Sequence, residues 1–441
     1  MAADGDGLRV LVEWEDPGGV RSRELHATWC RLEIWAGTEC VTRVEEESTS
    51  ATRRSIYVPL YPFAEWAAYN LGFLLTHSRP GRSSSRQRAY GSTSHHPLQR
   101  PDWLRHHNVR AVGEGFAWPD LAIIPEGAAT CLTWFKSDRD PRGGLRYVTD
   151  GEQLISTASV KTCLETVIEL TLTRLDEAGI TDTPLHEEWR ARRALDPDEL
   201  EFCDAAARMG IDPFDVDDDL ADSISEAGNE LHGTLLNDFL DVADRNSIRD
   251  SLTWVSEAAR SIEALGASGE ALLTLRDEIG SGLHPASDRP WVAGYSAAQL
   301  IRRALGSAAT ARFEPSRFMA DIVRPSEVRG VDAVGRNDGG LRIVRAKKAG
   351  SASTRFTRAR ALWSALQEST GELFVLTAAH TSRQQAGRSF AAELLAPAEG
   401  IRSMLASVGP HFDTDDVDAI AEVFDVQPLV IEHQIENHAI A

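Results

Sequence analysis

The hydrophobic period changes near residue 155, and this change favours a fold that keeps its strands and helices in separate blocks. Before it, short runs rich in β-branched and aromatic residues stand between turn formers: Leu8 to Trp14, Trp29 to Ile34 and Ser55 to Leu60, with more around 121–124 and 131–135. After it, apolar residues recur three and four apart, as in Leu164, Val167, Ile168, Leu172 and Leu175, and Gly179 is placed to cap that helix. Strand-rich and helix-rich blocks in succession predict an α+β protein. The 441 residues exceed one ordinary core. Three domains are expected: a small β-rich α+β module at 1–155, a central helical segment at 156–282, and a mostly helical domain with a small sheet at 290–441. A Pro/Gly connector at 280–290 precedes the last. Residues 78–101, rich in Ser, Gly, Pro and Arg and without a period, read as a mobile basic loop.

Charge is segmented in a similar way. The chain carries 46 basic and 67 acidic residues, a net charge of −21, which argues against general attraction to phosphate backbones or anionic membranes. From Thr181 to Arg260 there are 7 basic and 21 acidic residues, and from Leu300 to Phe390 there are 16 and 7. The basic stretch is expected to be balanced by the acidic helices of the same chain. Cys30, Cys40, Cys131, Cys163 and Cys203 are odd in number and lack a CxxC spacing, as expected of free thiols in a reducing compartment. With no long apolar run, the expectation is a cytoplasmic protein without a membrane partner.

The most informative residues lie in the last 150. Phe356, Thr357, Arg358 and Ala359 lead into a helical stretch; Phe390, Ala391, Ala392, Glu393, Leu394, Leu395, Ala396 and Pro397 close the next helix; Phe424 and Val426 mark a turn before a short final helix. Together these resemble the C-terminal core of the ImmA/IrrE family of zinc metallopeptidases. The resemblance implies a zincin-like domain in which HExxH follows the Phe-Thr-x-Ala lead-in and a glutamate on the next helix completes the zinc site. Here the HExxH places hold Arg360, Ala361, Leu362, Trp363 and Ser364, and Gln384 stands at the third ligand. Arginine cannot be a ligand, alanine offers no base, and a neutral amide is a poor donor. The resemblance therefore implies a degenerate member with no catalytic residues, metal or cofactor, and Arg360, Ala361, Ser364 and Gln384 as vestigial site positions.

What such a scaffold does follows by analogy: it binds and regulates a protein partner, since the family's working members cleave repressors of mobile elements or stress genes. Trp363, Arg360 and His380 are the candidate partner-binding residues. Trp363 either fills the vacated cavity as core or stands in a cleft as an anchor, with Arg360 close enough in the helix to stack on it. Two alternatives belong to other classes: a nucleic-acid-binding regulator using the basic surface of 300–390, and an enzyme with an unrecognised N-terminal site. Other constellations are weaker. Asp332 and Lys347 fit the hairpin of a PD-(D/E)xK nuclease, but Arg345 replaces the second carboxylate. Asp215, Asp217, Asp219 and Glu226 have calcium-loop spacing, but Leu220 replaces the turn glycine. His95 with His96 and His106 with His107 are expected in a solvated or phosphate-contacting role.

Overall fold

Strict alternation along the first strands sets the first sheet. In Trp29–Ala36 every second side chain, from Cys30 to Ala36, is buried, and the others stay at the surface. This strand pairs antiparallel with Leu8–Trp14 on one side and with Ile56–Pro59 and Glu39–Cys40 on the other. The computed structural model describes residues 7–78, 101–137, 144–266, 270–280, 289–338, 340–408 and 412–440. The loop expected at 78–101 therefore falls almost wholly outside the described residues, as do His95 and His96.

The described elements are 53% helix and 19% strand, with several small sheets, an α+β fold. The chain divides into two compact units, residues 1–217 and 218–441. The division falls inside the segment expected to be one acidic helical domain. Its first half belongs to the N-terminal core: Val160, Leu164, Val167 and Ile168 of helix Thr157–Glu177 pack with Leu32, Phe63 and Leu71. Gly179, at φ 70°, ends that helix as expected, in the left-handed conformation a side chain would resist. The second half belongs to the C-terminal core, where Leu272, Leu275 and Ile279 pack with Ile301, Phe318 and Leu362. Each half is amphipathic on its own, so neither needs the other to bury its apolar stripe.

In the C-terminal unit four strands form one mixed sheet, in the order Met319–Val323, Leu341–Arg345, Val331–Asn337, Leu373–Thr377. The first two run parallel, and Val331–Asn337 runs antiparallel to both its neighbours. Phe374, Val375, Leu376 and Thr377 are buried in succession, which requires cover on both faces of the sheet. Helix Ser351–Gln367 crosses from the second strand to the fourth and packs on helix Ser382–Leu395. Helix Pro290–Ala304 also packs on Ser382–Leu395, at a contact that only glycine permits: a Cβ at Gly294 would lie 2.4 Å from the Ala386 carbonyl oxygen and 2.7 Å from the Phe390 nitrogen. No described helix is long and apolar enough to cross a membrane.

Candidate functional site

Helix Ser351–Gln367 begins earlier than its sequence suggested, so Phe356 and Thr357 lie within it and do not form a lead-in. Residues Ala359 to Leu366 are all buried, because the sheet and helix Ser382–Leu395 enclose this helix. Arg360 is therefore a cation in the interior, with 5% of its surface exposed.

Such a burial is tolerable only if the guanidinium finds acceptors, and three converge on it. Arg360 Nη1 donates to Asp332 Oδ2 at 2.7 Å, and Nη2 donates to the Thr377 carbonyl at 2.6 Å and to Gln384 Oε1 at 2.7 Å. Asp332 comes from strand Val331–Asn337, Thr377 ends the neighbouring strand, and Gln384 sits in the first turn of helix Ser382–Leu395, whose N-cap is Thr381. One side chain thus ties two helices to two strands. Gln384 is matched to the task by being an amide. Its Oε1 also accepts from the Thr377 N–H at 3.1 Å, while its Nε2 donates to the Val375 carbonyl at 3.1 Å. A glutamate there would lose the donor and set a negative charge beside a carbonyl oxygen.

Of the four expected site positions, Arg360 and Gln384 are in contact, and Asp332 joins them. Asp332 had been read only as a piece of a nuclease hairpin. What joins it to Arg360 is the sheet order, which puts its strand between its hairpin partner and the crossover strand; no local spacing signals that. Ala361 and Ser364 are buried on the same helix. Among the described residues no group of three or more His, Cys, Asp or Glu side chains is arranged to hold a metal ion.

Trp363 is 5% exposed and lies in the core, its ring 5.3 Å from that of Phe390. Gly387 makes room for it, since a Cβ there would stand 3.2 Å from the indole Cδ1. Trp363 and Arg360 therefore cannot be presented to a partner from the folded structure. The guanidinium faces the strand ends, away from a stacking role on the indole. His380 is half-buried just before helix Ser382–Leu395, its carbonyl accepting from Gln385 Nε2 at 2.7 Å.

Of the rest of the nuclease constellation, Arg345 is engaged in an ion pair. Arg345 Nε and Arg358 Nη2 each donate to Asp321, at 2.8 Å. Burial alone would raise the Asp321 carboxyl, but the two guanidiniums outweigh it and hold its pKa below the usual carboxylate value. The neighbouring arginines of 300–390 are similarly engaged. Arg324 meets Glu257 at 2.5 Å, Arg336 meets Glu263 at 3.5 Å, and Arg383 meets Asp238 and Glu368 at 3.1 and 2.6 Å. Of these four acids, Asp238 and Glu257 come from the acidic segment 181–260, Glu263 lies just beyond it, and Glu368 belongs to the basic stretch itself. Arg302, 4% exposed, donates to the Leu394 and Ala311 carbonyls.

The calcium spacing does not form a loop. Helix Asp218–Glu230 begins at what would be its fourth position, with Asp218 and Asp219 in the first turn, where carboxylates favour a helix N-terminus. Glu226 faces Arg249 at 3.7 Å.

In the N-terminal unit, His107 is fully buried instead of solvated, because its strand neighbour offers a carbonyl. Its Nδ1 donates to Ile123 O at 2.9 Å, its Nε2 lies 3.3 Å from His77 Nδ1, and Trp103 stacks on the ring at 4.2 Å. His106 Nδ1 meets Asn70 Oδ1 at 2.6 Å. All five cysteines are free thiols, and burial pushes Cys30 and Cys163 up to about 12. An open cleft of about 840 Å³ is lined by Trp14, Asp16, Arg21, His26 and Arg174. Arg174 already donates to Ala27 O and stacks on Trp14.

Compared with known proteins, the chain matches no family model, no curated protein and no solved structure.

Proposed function

We propose that this chain is a catalytically inactive, protein-binding regulator whose C-terminal unit is an ImmA/IrrE-like scaffold without peptidase chemistry. The observation that carries the reading is the Arg360 guanidinium, held by Asp332, Thr377 and Gln384 at the place where the resemblance puts the zinc. A permanent cation there repels a metal ion, and the one carboxylate beside it, Asp332, is engaged as its ion-pair partner. What remains is a rigid core that positions surfaces, and regulation through binding is what such a scaffold offers. By the same analogy its partner is a transcription regulator or a stress or phage-defence component.

The nucleic-acid alternative on 300–390 is less favoured, because Arg324, Arg336, Arg345, Arg358 and Arg383 already face carboxylates of the same unit. The test is capture of the tagged full chain in its native cells, followed by reconstitution of the captured protein with the purified chain. The expected result is a complex of fixed stoichiometry in which the partner stays full length during incubation with zinc. Cleavage of the partner would overturn the inactive reading, and failure of any captured protein to bind in reconstitution would overturn the regulator.

A further inference from the structure

The first sheet buries one face and leaves the other open, and the open face has an unusual composition. Register places Arg9 beside Trp35, Leu11 beside Glu33, and Glu13 and Tyr57 on either side of Arg31. Tyr57 is 42% exposed and Leu11 48%. Arginines stack on both aromatic rings: Arg9 and Arg54 lie 5.5 and 5.7 Å from the centre of Trp35, and Arg53 lies 5.2 Å from that of Tyr57. Glu13 and Glu33 are held by Arg31, at 3.1 and 3.7 Å. Arg9 donates to the Gly37 carbonyl at 3.0 Å, and Arg9, Arg53 and Arg54 face no carboxylate among the described ion pairs, although the chain as a whole is acidic.

We propose that this face binds a short single strand of nucleic acid. The ligand must supply anions for three stacked guanidiniums and a flat group for the exposed Tyr57 ring. A nucleotide strand does both, with phosphates on the arginines and a base against Tyr57, while Trp35, half-buried with its indole N–H on Glu33 at 3.0 Å, serves as the platform for Arg9 and Arg54. An acidic peptide would use the charge and leave the Tyr57 ring without a role. Tyr57 is level with Arg31, four residues along the strand from Trp35, so the two rings are roughly 13 Å apart. That span seats a few nucleotides, and the surrounding acidic surface confines contact to about three phosphates. The site is separate from the Arg360 cluster and does not rest on the regulator reading.

The test is fluorescence anisotropy of a labelled twelve-residue oligo-dT with the full chain, at about 50 and about 200 mM salt. Saturable binding is expected, weakened about 20-fold at the higher salt, as three single-strand phosphate contacts require. Tyr57→Ala and Arg54→Glu should each weaken it about 10-fold or more, from lost stacking and reversed charge. Both positions are exposed, so circular dichroism should be unchanged. Absence of saturable binding at the lower salt, or binding that both variants retain, would overturn the proposal. Displacement by a poly-glutamate peptide as effectively as by unlabelled oligo-dT would overturn it in favour of an acidic protein segment.

Discussion

Replacing Arg360 by methionine keeps the aliphatic stem and removes the guanidinium, and the geometry fixes where the cost arises. Gln384 Oε1 keeps the Thr377 N–H and Nε2 keeps the Val375 carbonyl, so the amide stays satisfied. Asp332, whose side chain is 38% exposed, recovers water and loses about 1 kcal/mol or less. The Thr377 carbonyl is different: its residue is fully buried, and losing the charge-assisted bond there costs about 2–3 kcal/mol. Arg360→Met should therefore destabilise helix Ser351–Gln367 by about 3 kcal/mol, and Asp332→Asn by about 1 kcal/mol or less. Native-state hydrogen exchange of that helix's amides reads both values, because it reports local opening without requiring the two units to unfold together. Equal losses for the two variants would refute the reasoning, since they would make the half-exposed carboxylate the dominant partner. A loss below about 0.5 kcal/mol for Arg360→Met would show that the guanidinium is not a buried clamp.

Two further outcomes follow from the same packing. Trp363→Ala should cost about 3–5 kcal/mol in urea denaturation, as a buried aromatic against Phe390, and a loss below about 1 kcal/mol would return Trp363 to the surface. Asp321→Asn should cost about 2 kcal/mol near neutral pH. Because the folded carboxyl titrates below its unfolded value, this contribution is present above the unfolded pKa of about 3.9 and is lost as pH falls through the folded one. The stabilities of variant and parent should accordingly converge below about pH 4, and a constant gap down to about pH 2 would assign the cost to packing.

Much of the fold was legible because alternation and helical period act locally. Leu8–Trp14 is a strand with its expected ends, and Trp29–Ala36 and Ile56–Pro59 lie within two residues of theirs. Strand Met319–Val323 was not legible: its residues are only partly buried, and its parallel partner lies some twenty residues away in sequence. The division between compact units at 217 and 218 was not legible, because short helices continue on both sides of it. In the site, the resemblance singled out Arg360 and Gln384, while Asp332 joined them only through strand order. The burial of Trp363 and His107 was decided by neighbours distant in sequence, Phe390 and Ile123.

The most direct test of the central claim is zinc stoichiometry: the purified full chain is incubated with excess zinc, dialysed, and analysed for metal and protein together. With Arg360, Ser364 and Gln384 where the proposed resemblance would put three ligands, the expected content is far below one zinc per chain. About one zinc per chain surviving dialysis, and lost in His380→Ala or Asp332→Asn, would contradict the inactive-scaffold account and place a metal site within the cluster that Arg360 now fills.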